Sequence, residues 1–205
     1  RDTLYMTLAS TLFGYIIGLP MGIVLTVTDK DGIRPNAAVY KVLDVISNLL
    51  RSIPFIILLI VLIPFTRFVV GRSYGSTATI VPLTIAAAPY IARMVESSLK
   101  EVDAGVIEAA RSMGASDFQI VTKVMLVEAR TSLIVGATIS LGTILGYSAM
   151  AGTVGGGGLG DIAIRYGYTR WQTDIMVVTV VLLVILFQIF QTIGMKIANR
   201  LDRRK

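Results

Sequence analysis

Five long apolar stretches dominate the chain, at about 4–28, 45–70, 77–97, 131–151 and 175–198. Each is long enough to span a bilayer, since about 30 Å of hydrocarbon takes about 20 helical residues. The pattern predicts an all-α integral membrane protein of five transmembrane helices, read as a single domain over 1–205. Between the third and fourth stretches, 98–130 is polar and reads as helix, glycine break, helix. Asp103 can cap a first short helix whose apolar side is Val106, Ala110 and Met113, spaced by four and three. Gly114 supplies the left-handed residue that ends it, and Ser116 with Gln119 forms a capping box opening the next. A helix that short is marginal in water and needs a surface to dock against, lipid headgroups or a protein cleft.

Within the spans, Gly14, Gly18 and Gly22 recur at intervals of four and predict a helix-packing face. Pro20 is expected to kink that helix. Arg51 is expected about 8 Å inside the second span. There it either snorkels to lipid phosphate or forms a latch with Asp44 or Glu96. Pro54, Pro64, Pro82 and Pro89 supply bends in the second and third spans. The fourth span is the smallest and most hydroxylated and is expected to face protein or a pathway, whereas the fifth reads as an outer, lipid-facing helix. The run Gly155-Gly156-Gly157-Gly158-Leu159-Gly160 fits G-x-G-x-x-G literally, but it follows a membrane helix and opens no βαβ unit. It is read instead as a tight external turn that lets a partner's backbone approach. Tyr166, Tyr168 and Trp171 after it read as interfacial anchors.

Composition narrows the chemistry. With 54% hydrophobic and 16% charged residues among 205, there is too little polar surface to hide five such segments in water. No cysteine and no histidine occur, so disulfides, thiolate metal sites and histidine-based catalysis are excluded; neither a catalytic residue nor a metal site is expected. Gly146-Tyr147-Ser148-Ala149-Met150 lacks the last glycine of a nucleophile elbow. No phosphate-binding loop G-x-x-x-x-G-K-[ST] occurs, so any ATP must be bound elsewhere.

Thirteen basic residues fall on the side of the 29–44 loop, the 98–130 loop and the tail, Arg203, Arg204 and Lys205 included. Five fall on the other side. The positive-inside rule therefore puts the N-terminus outside and the C-terminus and elbow in the cytoplasm. The net charge of +6 is explained by topology and anionic lipid rather than by nucleic acid. The chain begins Arg1-Asp2, without methionine, so a short leader is expected before it.

Glu108-Ala109-Ala110, three residues, Gly114, nine residues, then Val124-Met125-Leu126 resembles the EAA signature of bacterial ABC-importer permeases. Two positions depart from it: Val124 stands where isoleucine is usual and Val127 where proline is usual. Arg51–Leu58, Ala87–Glu96, and Gly146–Met150 through the glycine run to Tyr168 look like the methionine-importer branch, and the resemblance spans essentially the whole chain.

The resemblance implies a type I importer architecture in the bacterial inner membrane and alternating access between inward-open and outward-open states. Expected partners are a second copy of this chain, two cytosolic ATPase subunits that bind ATP and Mg, an extracytoplasmic binding protein and membrane lipid. Glu108, Ala109, Ala110, Arg111, Met113 and Gly114 would couple to the ATPase, and Tyr147, Ser148 and Met150 would line the path. Two alternatives differ from this: a carrier or channel running without ATP, and a permease for another small amino acid or peptide. Few ionisable groups lie deep in the spans, which weighs against the first.

Overall fold

The computed structural model describes residues 1–202; Arg203, Arg204 and Lys205 lie outside the described residues. In chain order the α-helices are α1 (Asp2–Thr28), α2 (Ala37–Ser52), α3 (Phe55–Val61), α4 (Ile63–Val70), α5 (Ser76–Lys100) and α6 (Ala104–Ser112). They continue with α7 (Asp117–Gln119), α8 (Leu126–Glu128), α9 (Arg130–Ala151), α10 (Gly158–Ile162) and α11 (Thr173–Leu201). Single π-helical turns, Ile120–Met125 and Ala163–Tyr168, join α7 to α8 and follow α10. Helices α1, α5, α9 and α11 are long and apolar enough to cross a membrane alone.

The stretch 45–70 is not the straight span its hydropathy predicts. Helix α2 stops at Ser52, and α3 leaves it at 102°. Pro54 is the cause. It has no N–H to continue the ladder, and it pushes the residue before it out of the α region; Ile53 sits at φ −79°, ψ 124°. A second break at Leu62 separates α3 from α4, with Pro64 in the first turn of α4. The described residues thus hold four unbroken spans, or five if the bent pair is counted as one. Pro20, Pro82 and Pro89, in contrast, lie inside α1 and α5 without ending them.

The centre of the bundle is the α1–α5 pair. Gly14, Gly18 and Gly22 are buried on one face of α1, against Ala87, Ala88, Ile91, Ala92 and Val95 of α5. A Cβ on Gly18 would stand 2.7 Å from the Ala88 carbonyl oxygen, and one on Gly22 2.5 Å from that of Ala92. Those separations are impossible for a real side chain, so only glycine allows this approach. Helix α9 packs behind α5 with Gly136 over Met94, and the Ser132 hydroxyl donates to Ser98 Oγ at 3.0 Å. Among the long helices, α11 leans chiefly on α9. Thr179 and Ala198 are its buried residues, a strip including Leu183, Phe187 and Gly194 packs inward, and most other side chains are exposed.

The glycine run lies against this chain's own backbone. A Cβ on Gly152 or Gly160 would strike the backbone of Gly160 and Ala149 respectively, and one on Gly156 would meet the Ala151 carbonyl oxygen at 2.7 Å. The Gly75 N–H donates to the Gly155 carbonyl at 2.9 Å and the Leu159 N–H to Thr3 Oγ1 at 2.8 Å. Residues 152–161 thus tie the ends of α1, α5 and α9 together. The close approach expected of a partner's backbone is made within the chain.

Replacing Gly18 by leucine forces α1 off α5. We expect a well-expressed but unstable protein, its thermal midpoint in detergent lowered by at least 5 °C, whereas Gly146→Ala, with open space around it, leaves the midpoint unchanged. Equal midpoints for Gly18→Leu and the unsubstituted protein would refute the packing argument.

Candidate coupling site

The elbow between α5 and α9 is built by local chemistry that the sequence spells out. Asp103 caps α6, its Oδ1 accepting from the Gly105 N–H at 2.7 Å. At the other end Gly114 takes φ +82°, the left-handed region. The Gly114 N–H donates to the Arg111 carbonyl at 2.9 Å and the Ala115 N–H to that of Ala110 at 3.1 Å. That pair of bonds is a Schellman stop. The chain re-enters helix through a reciprocal cap. Ser116 N–H donates to Gln119 Oε1 at 2.9 Å, and Gln119 N–H donates to Ser116 Oγ at 3.4 Å. Every turn of the elbow is therefore fixed by its own hydrogen bonds.

The face presented differs from the one that spacing implied. Ala110 is buried, packed with Ile120, Val121 and Met125 and flanked by Ile107 and Ala115. Val106 and Met113, grouped with Ala110 by periodicity, point outward instead, Met113 at 82% exposure. The reason is geometric: the π-helical segment returning beneath α6 covers only the Ile107–Ala110 strip. Glu108, Ala109 and Gly114 are exposed. Arg111 does not extend freely, since its Nη2 donates to the Ile33 carbonyl at 2.8 Å and stands 3.9 Å from Asp117. It braces the elbow against the 29–36 loop. Phe118 was missed as a site residue although it is 76% exposed beside this surface. The available signal was a large aromatic just after a helix cap in a polar segment, where nothing local can bury it.

Behind the elbow a polar cluster ties α2 to α5. Arg93 pairs with Asp44, in close contact, and with Glu96 at 2.7 Å. Lys100 bridges Glu96 at 2.8 Å and Asp29 at 2.6 Å, and the Tyr40 hydroxyl lies 3.4 Å from Glu96. Both acids proposed as partners for Arg51 are thus taken by Arg93, which projects from α5 directly across from Asp44. Arg51, two helical turns further along α2, is exposed and forms no ion pair among the described residues. The Glu96 side chain is only 6% exposed and is paired with both Arg93 and Lys100. Outside the spans, the hydrogen bond from Lys100 holds the Asp29 carboxyl below its ordinary pKa. A lowered carboxyl pKa stabilises the fold at neutral pH, and that contribution is lost as pH falls through the lowered value.

The three path candidates do not share a face. Tyr147 stacks on Phe55 with ring centres 4.5 Å apart, Ser148 is buried and donates to the Leu145 carbonyl, and Met150 is half exposed. The described residues contain no group of three or more acidic, histidine or cysteine side chains placed to hold a metal.

The profile of the family described as "Binding-protein-dependent transport system inner membrane component" matches residues 14–205. The chain belongs to that family. It is accordingly a multi-pass inner-membrane permease. A probable D-methionine transport system permease protein MetI of Vibrio cholerae is 49% identical over 99% of this chain and 90% of that protein. The D-methionine transport system permease protein MetI of Escherichia coli K12 is 56% identical over 74% of this chain and 70% of its own length. Among solved structures, an inward-facing MetNI methionine ABC transporter superimposes with a TM-score of 0.97 at 52% identity, covering 98% of this chain and 94% of that one. An amino acid ABC transporter, at 20% identity and a TM-score of 0.77, shares the fold.

Substituting Arg93 by methionine leaves Asp44 and Glu96 without their shared cation. Breaking such a pair costs about 3 kcal/mol. Thermal unfolding of the purified permease should show a clear loss of stability. The loss should be mostly recovered when Glu96→Gln and Asp44→Asn are added. Asp29→Asn should separately flatten the loss of stability on acidification below the ordinary carboxylate range, where the lowered carboxyl takes up its proton.

Proposed function

We propose that this chain is the permease subunit of an ATP-driven methionine importer and works as a pair of identical copies. Two cytosolic subunits bind ATP and Mg, and an extracytoplasmic binding protein delivers the amino acid. The chain as a whole forms one transmembrane permease domain. Its N-terminus lies outside and its elbow and C-terminus lie in the cytoplasm, with the bent 37–70 segment counting as the second of five spans. The relatives' substrate supports methionine, and the 0.97 superposition on an inward-facing transporter supports an inward-facing reading of this conformation.

The observation that carries the coupling role is the elbow itself. It is a short helix, capped at both ends and anchored inward through Ala110, that exposes Glu108 and Met113, with Phe118 exposed on the next turn. Exposed aromatic and methionine side chains on a rigid, charged rim are what a docking cleft grips. Force applied there enters the bundle through the π-helical turn into α9, while Arg111 and Lys100 carry it toward α1 and α2. ATP closure would thereby reorient the spans without the elbow touching substrate. A carrier independent of ATP has no use for such a surface.

In proteoliposomes holding the permease, its ATPase and its binding protein, methionine uptake should require ATP and all three components. Flux driven by an ion gradient through the permease alone would sink the reading. Gly114→Val forces a branched side chain into φ +82°, a strain of about 1–2 kcal/mol. It should cut uptake at least tenfold while leaving membrane insertion intact. Phe118→Ser should weaken ATPase co-purification at least tenfold without altering the permease's own thermal midpoint.

A further inference from the structure

Arg51 lies deeper than hydropathy suggests. Two contacts fix the depth of α2 and α3 against the long helices. Asp44 pairs with Arg93, which is seven residues, or about 10 Å, from the elbow end of α5. Phe55 packs with Leu83 of α5 and stacks on Tyr147 of α9. Leu83 is 17 residues from that end of α5, and Tyr147 is 17 residues from the start of α9, so both stand about 25 Å up. Arg51 falls between these anchors, about 20 Å up. The 25 residues of α5 span about 37 Å and overhang the hydrocarbon at both ends. Arg51 is therefore close to mid-depth, beyond the reach of an arginine side chain to either headgroup layer.

At that depth it is exposed and unpaired among the described residues, as is Ser52, which donates only to the Leu49 carbonyl. The backbone next to it is also irregular. Ile53 is extended, Pro54 is exposed and lacks an N–H, and the end of α2 and the start of α3 leave backbone groups outside any helical ladder. Neither an unpaired guanidinium nor an open helix break is tolerated against lipid tails; both occur only against protein or a water-filled cavity. Two unrelated constraints thus single out the same face, and it is turned away from α1, α5 and α9.

We propose that the α2–α3 break lines the water-filled translocation path and that Arg51 holds the carboxylate of the amino acid as it passes. This rests on the importer reading above and adds the group that recognises the cargo. The guanidinium fork matches a carboxylate through two parallel hydrogen bonds, keeps its charge at any pH, and needs no metal. One such contact in a wet path is weak enough to release what it holds. The neighbouring exposed side chains, Ile56 and Ile57, offer apolar surface for a thioether.

The chain has no cysteine, so single-cysteine variants report cleanly. In the complete importer with cysteine-free partners, Ser52→Cys should react with a charged, membrane-impermeant methanethiosulfonate at least tenfold faster than Val184→Cys on the outward face of α11. Methionine should slow that reaction, methioninamide, which lacks the carboxylate, should not, and Arg51→Met in the Ser52→Cys background should abolish the protection. In uptake assays Arg51→Met should lose at least tenfold and Arg51→Lys should recover most of it, with ATP hydrolysis retained in both. Equal labelling of Ser52→Cys and Val184→Cys would overturn the water-lined break. Protection that survives Arg51→Met, or that methioninamide gives equally, would overturn the carboxylate contact. Failure of the unsubstituted importer to carry methionine would bring down the functional reading itself, whatever the labelling shows.

Discussion

The close approach of α1 and α5 is the constraint on which the rest of the bundle depends. In hydrocarbon there is little hydrophobic gain in pressing one apolar helix on another, so association relies on contact and on polar groups that lipid cannot satisfy. Three glycines on α1 bring its backbone within van der Waals reach of α5 over two turns. That contact sets where the 29–36 loop emerges, and so where Ile33 meets Arg111 and where Asp29 meets Lys100. At the opposite end it sets where Thr3 meets Leu159. Both ends of the molecule inherit their geometry from one stripe of missing side chains.

Around that rigid pair the chain separates two kinds of polar group. Charges near the elbow end are paired with one another, Arg93 and Lys100 shared among Asp44, Glu96 and Asp29. The set welds α2 to α5. One helical segment further on, the backbone is broken and the charge is left open. The chain is clamped at Asp44 and leaves its backbone and the Arg51 guanidinium unpaired at the bend, among the described residues.

Much of this was legible because it is local. Caps, the glycine stop and the spacing of Gly14, Gly18 and Gly22 are written in consecutive or periodic residues, and the elbow's boundaries follow from Asp103, Gly114, Ser116 and Gln119 alone. What hydropathy concealed depends on neighbours. An apolar run reads the same whether straight or folded by 102°, and only Pro54 and Pro64 pointed to bends in it. Likewise Asp44 and Glu96 are correct partners for an arginine, but α5 supplies Arg93 at closer range than α2 supplies Arg51. The inward side of α6 was misread for a related reason: with so short a helix, the segment beneath it chooses which strip is covered, and it chose Ile107 and Ala110.

The Arg130 guanidinium donates to the carbonyl of Leu201 at 2.9 Å, fastening the final turn of α11 to the first turn of α9. Helix α9 begins where the elbow ends, so a displacement of the elbow enters two helices at once, one interior and one facing lipid. The outer helix is then not a passive shell. If the elbow is driven as proposed, the acyl chains around α11 would be sheared with it, and bilayer thickness and stiffness would become part of the resistance to that movement.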